Sequence, residues 1–421
     1  MDAAFLKYSS VTEESNKKNV FSTSYIFVTC TTLIFSLIIF LAKGNLSDGM
    51  SIPSQYSYLL NYVILILIFD TLALVPFANL RLQRKAKMFA IIKTLNILIN
   101  LGLNIYLILF LDYDIEAIFI SNAVASFFSF AALLPEIIKY FLPKIDYELL
   151  KRMLKFGIPY LPASMSATIV QVIDRPILVR ILGESALGIY QANYKLGIFM
   201  MLFVSMFHYA WQPFFLNNAQ DVNAKKLFAK ILTLYLIASS LILVFLSLFI
   251  SDIAGFEIMN GRTIIGKEYL SGLYIVPVVL LAYVFHGMYV NFQAGIYIEE
   301  KTKYFPLVTG AGALLNIITN VLLIPVIGIM GAAIATLVSY FVMAAGLFIT
   351  AQKFYKIQYE YLKIGAIFLL LIIAGVIYYY VIGFENVSFV NKLVILLGFI
   401  AGLFIFRVIS KEEISSLKKL F

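Results

Sequence analysis

Asp174, Arg175 and Lys195 are the residues whose types could do chemistry most readily here, because all three fall inside long apolar segments. Ionisable groups in such places are costly and mark function by default. Asp174 and Arg175 lie about 20 residues into one segment, about 30 Å from its start, and Lys195 lies about eight residues, about 12 Å, into the next from the same face. The three can therefore meet in one half of a bilayer. Two cations there suit an anionic ligand, with Asp174 as counter-ion, although an ion pair that merely ties two helices together would use the same residues. Asp70 sits in the middle of another segment, where a carboxylate is either protonated or paired. It is a candidate for ion coupling, or else a buried hydrogen-bonded acid. Lys93 lies about one turn into its segment and can snorkel to the interface or receive an anion. Asn100 with Asn104, and Asn316 with Asn320, are two Asn-x-x-x-Asn pairs that either bond between helices or line a cavity. His208 and His286 have no metal-ligand partners at useful spacing and read as packing residues. Trp211 with Tyr209 reads as an interfacial aromatic anchor.

The elements that must hold these residues are twelve apolar segments, at about 21–42, 57–80, 88–111, 115–140, 154–182, 187–215, 227–250, 270–296, 303–327, 329–350, 361–383 and 388–408. Each is near or above the ~20 residues that cross a ~30 Å hydrocarbon core. On one side the seven connectors, with the segment ends that flank them, hold 24 Lys and Arg, among them Lys17, Lys18, Arg81, Arg84, Lys85, Lys87, Lys151, Arg152, Lys225 and Lys226. The six on the other side hold four: Lys43, Arg262, Lys267 and Lys392. That asymmetry orients the chain with both termini in the cytoplasm. It also accounts for the net charge of +9 without a nucleic-acid partner. At 62% hydrophobic and 13% charged, the chain reads as an all-α, polytopic membrane bundle of 12 transmembrane helices. The single cysteine, Cys30, allows neither a disulfide nor a cysteine metal cluster. The longest loop, about 251–269, is too short for an enzyme core. No phosphate-binding glycine loop, His-Glu-x-x-His or nucleophile elbow is present, so neither catalysis nor a cofactor is expected. Prolines 76, 159, 162, 176, 277 and 306 lie within segments, and the fifth and eighth segments are expected to bend in mid-membrane.

The chain also resembles itself at an offset of about 216 residues. Arg81–Lys87 answers Tyr297–Lys303, the two asparagine pairs coincide, and Ala117–Asn122 answers Gly331–Thr336 with a slip of two residues. Upstream, Lys17-Lys18 pairs with Lys225-Lys226. The organisation expected is an N-terminal lobe over 1–145 with four helices, a six-helix lobe over 146–352, and two further helices over 353–421. About 154–210 has no counterpart before Met1, so the first lobe is expected to lack two helices, either by design or, as favoured, because Met1 is an internal start in a longer frame. Repeats with even helix number share orientation, which is a two-lobed plan suited to alternating access.

The most distinctive stretch is 155–216. It runs Lys155-Phe-Gly-Ile-Pro159-Tyr-Leu-Pro162, then Asp174-Arg175 with Leu178, then Leu182-Gly183-Glu184 to Gly188-Ile189-Tyr190, and closes on Tyr209-Ala-Trp211-Gln212-Pro213-Phe214-Phe215. It resembles the polysaccharide-biosynthesis branch of the lipid-linked oligosaccharide flippases, the Wzx type. That branch sits in the multidrug/oligosaccharidyl-lipid/polysaccharide (MOP) superfamily with the multidrug and toxin extruders (MATE) and the lipid II flippase. The resemblance implies a two-lobed transporter in the bacterial cell membrane that moves an undecaprenyl-diphosphate-linked oligosaccharide to the outer leaflet. It implies membrane lipids and H+ or Na+ as further partners, together with a polysaccharide polymerase and chain-length machinery. On that reading Asp174, Arg175, Lys195, Lys93, Asn100 and Asn316 line the substrate path and Asp70 couples the ion. The alternatives are an extruder-like drug exporter, a membrane glycan polymerase or glycosyltransferase, or a remnant that does not transport.

Overall fold

The computed structural model describes residues 1–12, 16–49, 53–259, 262–263, 265–382 and 388–409. Residue 383 of the eleventh expected segment and the basic tail beyond 409 lie outside the described residues. Among those described, eleven helices are long and apolar enough to cross a membrane, and a twelfth, Phe389–Ile405, is apolar but only 17 residues long. The chain divides into two compact units, Met1–Ile158 and Pro159–Phe421.

The first unit holds α1 (Asp2–Val11), α2 (Lys17–Leu41), α3 (Lys43–Gly49), α4 (Leu59–Leu82), α5 (Ala86–Phe110), α6 (Glu116–Tyr140) and α7 (Tyr147–Gly157). α6 packs on α4 and α5, and α2 packs on α4. Close approach is possible because α6 presents Ala117, Ser121, Ala125 and Ser129, all buried, at every fourth position. Lipid offers no hydrophobic drive to bring helices together, so small residues and cross-helix hydrogen bonds do that work. Asn96 supplies one such bond, donating to the Ala125 carbonyl at 2.7 Å and to Ser129 at 2.9 Å. At one end, Arg81 clamps both carboxylate oxygens of Asp2 at 3.1 and 3.0 Å and so ties α1 to α4. Nearby, the buried Glu136 accepts from Asn79 (3.0 Å), Gln83 (2.8 Å) and Lys85 (3.3 Å), fixing the α4–α5 turn on α6. α7 is amphipathic: Leu149, Met153 and Phe156 are buried while Lys151, Arg152 and Lys155 are exposed. Elsewhere the surface is apolar, with Leu109 and Phe110 of α5 each 70% exposed. Water would not tolerate such a surface, but a bilayer requires it.

The second unit holds α8 (Tyr160–Val172), α9 (Asp174–Leu182), α10 (Glu184–Tyr194), α11 (Ile198–Asn218), α12 (Ala224–Ala254), α13 (Val276–Ile298), α14 (Tyr304–Ile327), α15 (Ile329–Phe354), α16 (Tyr361–Val376) and α17 (Phe389–Ile405). After α12 the chain forms a small antiparallel pairing of β1 (Glu257–Met259) with β2 (Arg262–Thr263), then a 3-10 stretch over Lys267–Ile275. α15 packs on both α13 and α14, and α8 packs on α14. The fifth expected segment is interrupted beside its prolines, at Ile158–Pro159 and again at Ile173, three residues before Pro176. In the eighth, α13 runs from Val276 to Ile298 without a break. Pro277 occupies the first turn of α13, where its missing N–H costs nothing. α17 is pinned to the end of α12 by buried Lys392, which donates to Asp252 at 2.5 Å and Ser251 at 3.4 Å.

The internal repeat is visible in backbone geometry. Arg84 and Glu300, 216 residues apart, both take positive φ, at 56° and 54°. The turn each closes has the same bond, Lys85 N–H to Leu80 O at 3.0 Å and Lys301 N–H to Ile296 O at 2.9 Å. Asp112 and Gly328, at the same offset, share positive φ as well. Asn104 donates to the Asn100 carbonyl and side chain, both at 3.0 Å, and Asn320 does so to Asn316 at 2.9 and 3.0 Å. The place of Asn96 is taken by Gly312, whose carbonyl receives a bond from Ser339 at 3.0 Å. The same helix crossing is thus bridged in both units, with donor and acceptor exchanged.

Candidate functional site

Pro176 has no N–H to continue the α8 ladder, so the helix ends at Ile173, whose amide bonds to the Ile169 carbonyl at 3.0 Å, and α9 restarts at Asp174. Asp174 is left only 2% exposed. Tyr190 of α10 donates to its Oδ2 at 2.5 Å, a length suited to a charge-assisted bond, while Oδ1 has no hydrogen-bond partner. Aromatic rings continue from there through the unit. Tyr190 meets Tyr194 at 5.4 Å between centroids, Tyr194 meets Tyr283 at 6.3 Å, and Tyr283 meets Tyr340 at 6.0 Å. His286 stacks on Tyr340 at 4.6 Å and on Tyr289 at 6.2 Å. Tyr283 donates to the Tyr194 hydroxyl at 3.3 Å, but the Tyr340 hydroxyl and His286 Nδ1 are unpartnered. Asp174 Oδ1, the Tyr340 hydroxyl and His286 Nδ1 are thus three buried polar atoms along this chain of rings that make no hydrogen bond among the described residues.

The exposed side of α8 and α9 is polar along one edge. Ser164, Thr168, Gln171 and Arg175 recur at intervals of four, three and four residues, and all are exposed. The two hydroxyls bond back to the Leu161 and Ser164 carbonyls at 2.9 and 3.0 Å, and Gln171 and Arg175 continue the stripe with longer side chains. Beside it, Leu161, Met165, Ile169 and Val172 form an exposed apolar edge. One helix side thus suits water and the other suits lipid.

The expected meeting of Asp174, Arg175 and Lys195 does not form. Asp174 is buried against Tyr190, whereas Arg175 and Lys195 are exposed and make no ion pair with it among the described residues. Asp70 lies on the exposed side of α4 and has no hydrogen bond or ion pair among those residues. Lys93 is exposed too, with its ammonium 4.4 Å from the centroid of the Phe77 ring rather than drawn to the helix end. Asn100 is half-buried, but Asn316 and Asn320 are fully buried, so Asn316 has no surface from which to reach a substrate in this structure. Trp211 is no interfacial anchor. It is buried among Phe207, Phe214, Phe215 and Phe228, and its indole N–H donates to the Asn291 carbonyl at 3.2 Å. The sequence reading missed Tyr190, Tyr283 and Tyr340. With 27 tyrosines in the chain, only the Gly188-Ile189-Tyr190 stretch gave any signal.

Comparison with known proteins places this geometry. A search of curated proteins finds no match. Among solved structures, the Vibrio cholerae MATE transporter VcmN in its bent form superposes with a TM-score of 0.69 at 12% identity, over 84% of this chain and 83% of that one. A MOP superfamily transporter from Pyrococcus furiosus, for which a reversed polarity of the binding pocket is described, gives 0.67 at 14% identity over 84% and 81%. At these identities the likeness shows the fold, which is that of the MATE transporters of the MOP superfamily. The profile of the family described as polysaccharide biosynthesis protein matches residues 6–254, more than half the chain, so this multi-pass membrane protein belongs to the polysaccharide biosynthesis protein family.

Proposed function

We propose that this protein is a flippase that carries a polyprenyl-diphosphate-linked oligosaccharide from the inner to the outer leaflet of the bacterial cell membrane, with both termini cytoplasmic. The observation that carries the reading, beside the family, is the exposed stripe Ser164–Thr168–Gln171–Arg175 on a membrane helix. An Arg and three hydrogen-bonding side chains in one line would be expensive against lipid and natural along a water-filled path. Arg175 and Lys195 then meet the diphosphate, the smaller polar groups meet sugar hydroxyls, and the prenyl tail stays in lipid. Transport proceeds by alternating access of the two units and supplies a polymerase and its chain-length partners outside.

Coupling to H+ or Na+ is proposed at Asp174, in place of Asp70. Asp174 has a free carboxylate oxygen in a buried shell where the Tyr190 hydroxyl donates to its other oxygen and Tyr283 and Tyr340 feel its charge, with Arg175 beside it in sequence, Tyr194 and His286 further along the rings, and His208 near His286. Exposed Asp70 has no comparable shell and stands second. In cells lacking the gene, lipid-linked oligosaccharide should accumulate in the inner leaflet while surface glycan is lost. Appearance of unpolymerised units outside would instead favour a polymerase or glycosyltransferase. Unchanged pools would favour an extruder-like exporter.

A further inference from the structure

The turn between α4 and α5 opens onto a groove of about 360 Å³ lined by Lys85, Lys87, Met88, Ile91 and Ile92. Its floor is anchored, since Met88 packs on the buried cluster of Ala73, Phe77, Leu80, Ile92 and Leu133. Its two lysines differ. Lys85 is held by Glu136 at 3.3 Å and is largely neutralised there. Lys87 is exposed, with no ion pair or ring partner among the described residues. The second copy of the repeat makes the contrast sharper. Lys301 and Lys303, which occupy the same two positions, each lie 5.4 Å from a ring centroid, that of Phe354 or of Tyr304. There the protein supplies both cations with a partner of its own, and at Lys87 it does not.

The polarity of the groove follows the order of a lipid. Lys87 stands in the first turn of a membrane helix, and Ile91, half exposed, lies one turn deeper, about 6 Å along the axis. Of the two cations that line the groove only Lys87 is left without an acidic partner, and one charge suits a phosphodiester monoanion better than a diphosphate. We infer that this groove binds an anionic glycerophospholipid, with the phosphodiester on Lys87 and the first acyl carbons over Met88, Ile91 and Ile92. Basic pockets at membrane-helix ends recognise anionic headgroups through this combination of charge and apolar floor. The inference needs only that α5 crosses the bilayer, and is independent of the cargo carried.

Native mass spectrometry of the purified full-length chain, titrated with phosphatidylglycerol or phosphatidylcholine, tests it. The wild type should retain one phosphatidylglycerol in preference to phosphatidylcholine. Lys87→Ala should weaken that binding about fivefold, the effect expected of one lysine near an anionic surface. Lys303→Ala should leave it unchanged, Ile91→Trp should lower retention of both lipids, and Lys87→Arg should retain binding. Equal retention of the two lipids, or equal damage from Lys87→Ala and Lys303→Ala, would overturn the assignment. Displacement by an equimolar undecaprenyl diphosphate would overturn it as well, by making the groove a cargo site. Should Lys87→Ala fail to fold, loss of binding in a folded Lys87→Arg protein decides against it.

Discussion

Asp174 and Arg175 are neighbours in sequence, yet the acid is buried and the base exposed, because successive residues of a helix point about 100° apart. Tyr190→Phe, which removes the side-chain hydrogen bond to that carboxylate, should destabilise the protein by about 1–3 kcal/mol in thermal unfolding in detergent. Asp174→Asn added to Tyr190→Phe should cost less than the sum of the two single changes, because both act on one bond. Glu136→Ala strands three donors at once and should cost about 3–5 kcal/mol by the same measurement. These buried partners were not legible in the sequence. An apolar helix in lipid carries no strong amphipathic period, so nothing marked Asp174 as buried and Asp70 as exposed. Polar residues at helix ends were easier, because Arg81 and Lys85 fall in a turn whose composition repeats at Tyr297–Lys303.

At the scale of elements, lipid made the chain readable. Every span must be helical and about 20 residues long, so hydropathy alone located the long helices to within a few residues, except the fifth, which starts at Tyr147 and is divided in three. The repeat was legible because helix crossings need small residues at fixed spacing, which Ala117, Ser121 and Ala125 share with Gly331, Ala335 and Ser339. Gly331 illustrates the constraint: a Cβ there would lie 2.6 Å from the Leu323 backbone carbon and 2.7 Å from the Ile324 nitrogen. Gly331→Ala should therefore cost about 1–3 kcal/mol and lower the melting temperature. Gly310→Ala, where nothing lies within 4 Å, should be neutral or stabilise α14 by up to about 1 kcal/mol. The short β1–β2 pairing escaped the reading, since a few residues in a polar loop carry no periodic signal.

The molecule as a whole places a polysaccharide-family sequence on a MATE-type fold, with a buried acid in the second unit and a polar stripe on α8 and α9. Hydropathy and the 155–216 stretch gave away the class; the arrangement of the site depended on helix rotations that no composition encodes. Arg175→Ala together with Lys195→Ala should abolish export while the protein stays in the membrane at normal abundance, as read by surface-glycan labelling and immunoblotting. Asp174→Asn should leave binding of the lipid-linked oligosaccharide intact but remove the response of transport to a pH or Na+ gradient. The most direct measurement reconstitutes the purified chain in proteoliposomes with a fluorescent polyprenyl-diphosphate oligosaccharide and adds a membrane-impermeant quencher. The account predicts that the protected inner-leaflet fraction falls with time under an imposed ion gradient, and that Asp174→Asn slows the fall. A protected fraction that stays constant with the wild-type chain under every gradient would contradict it.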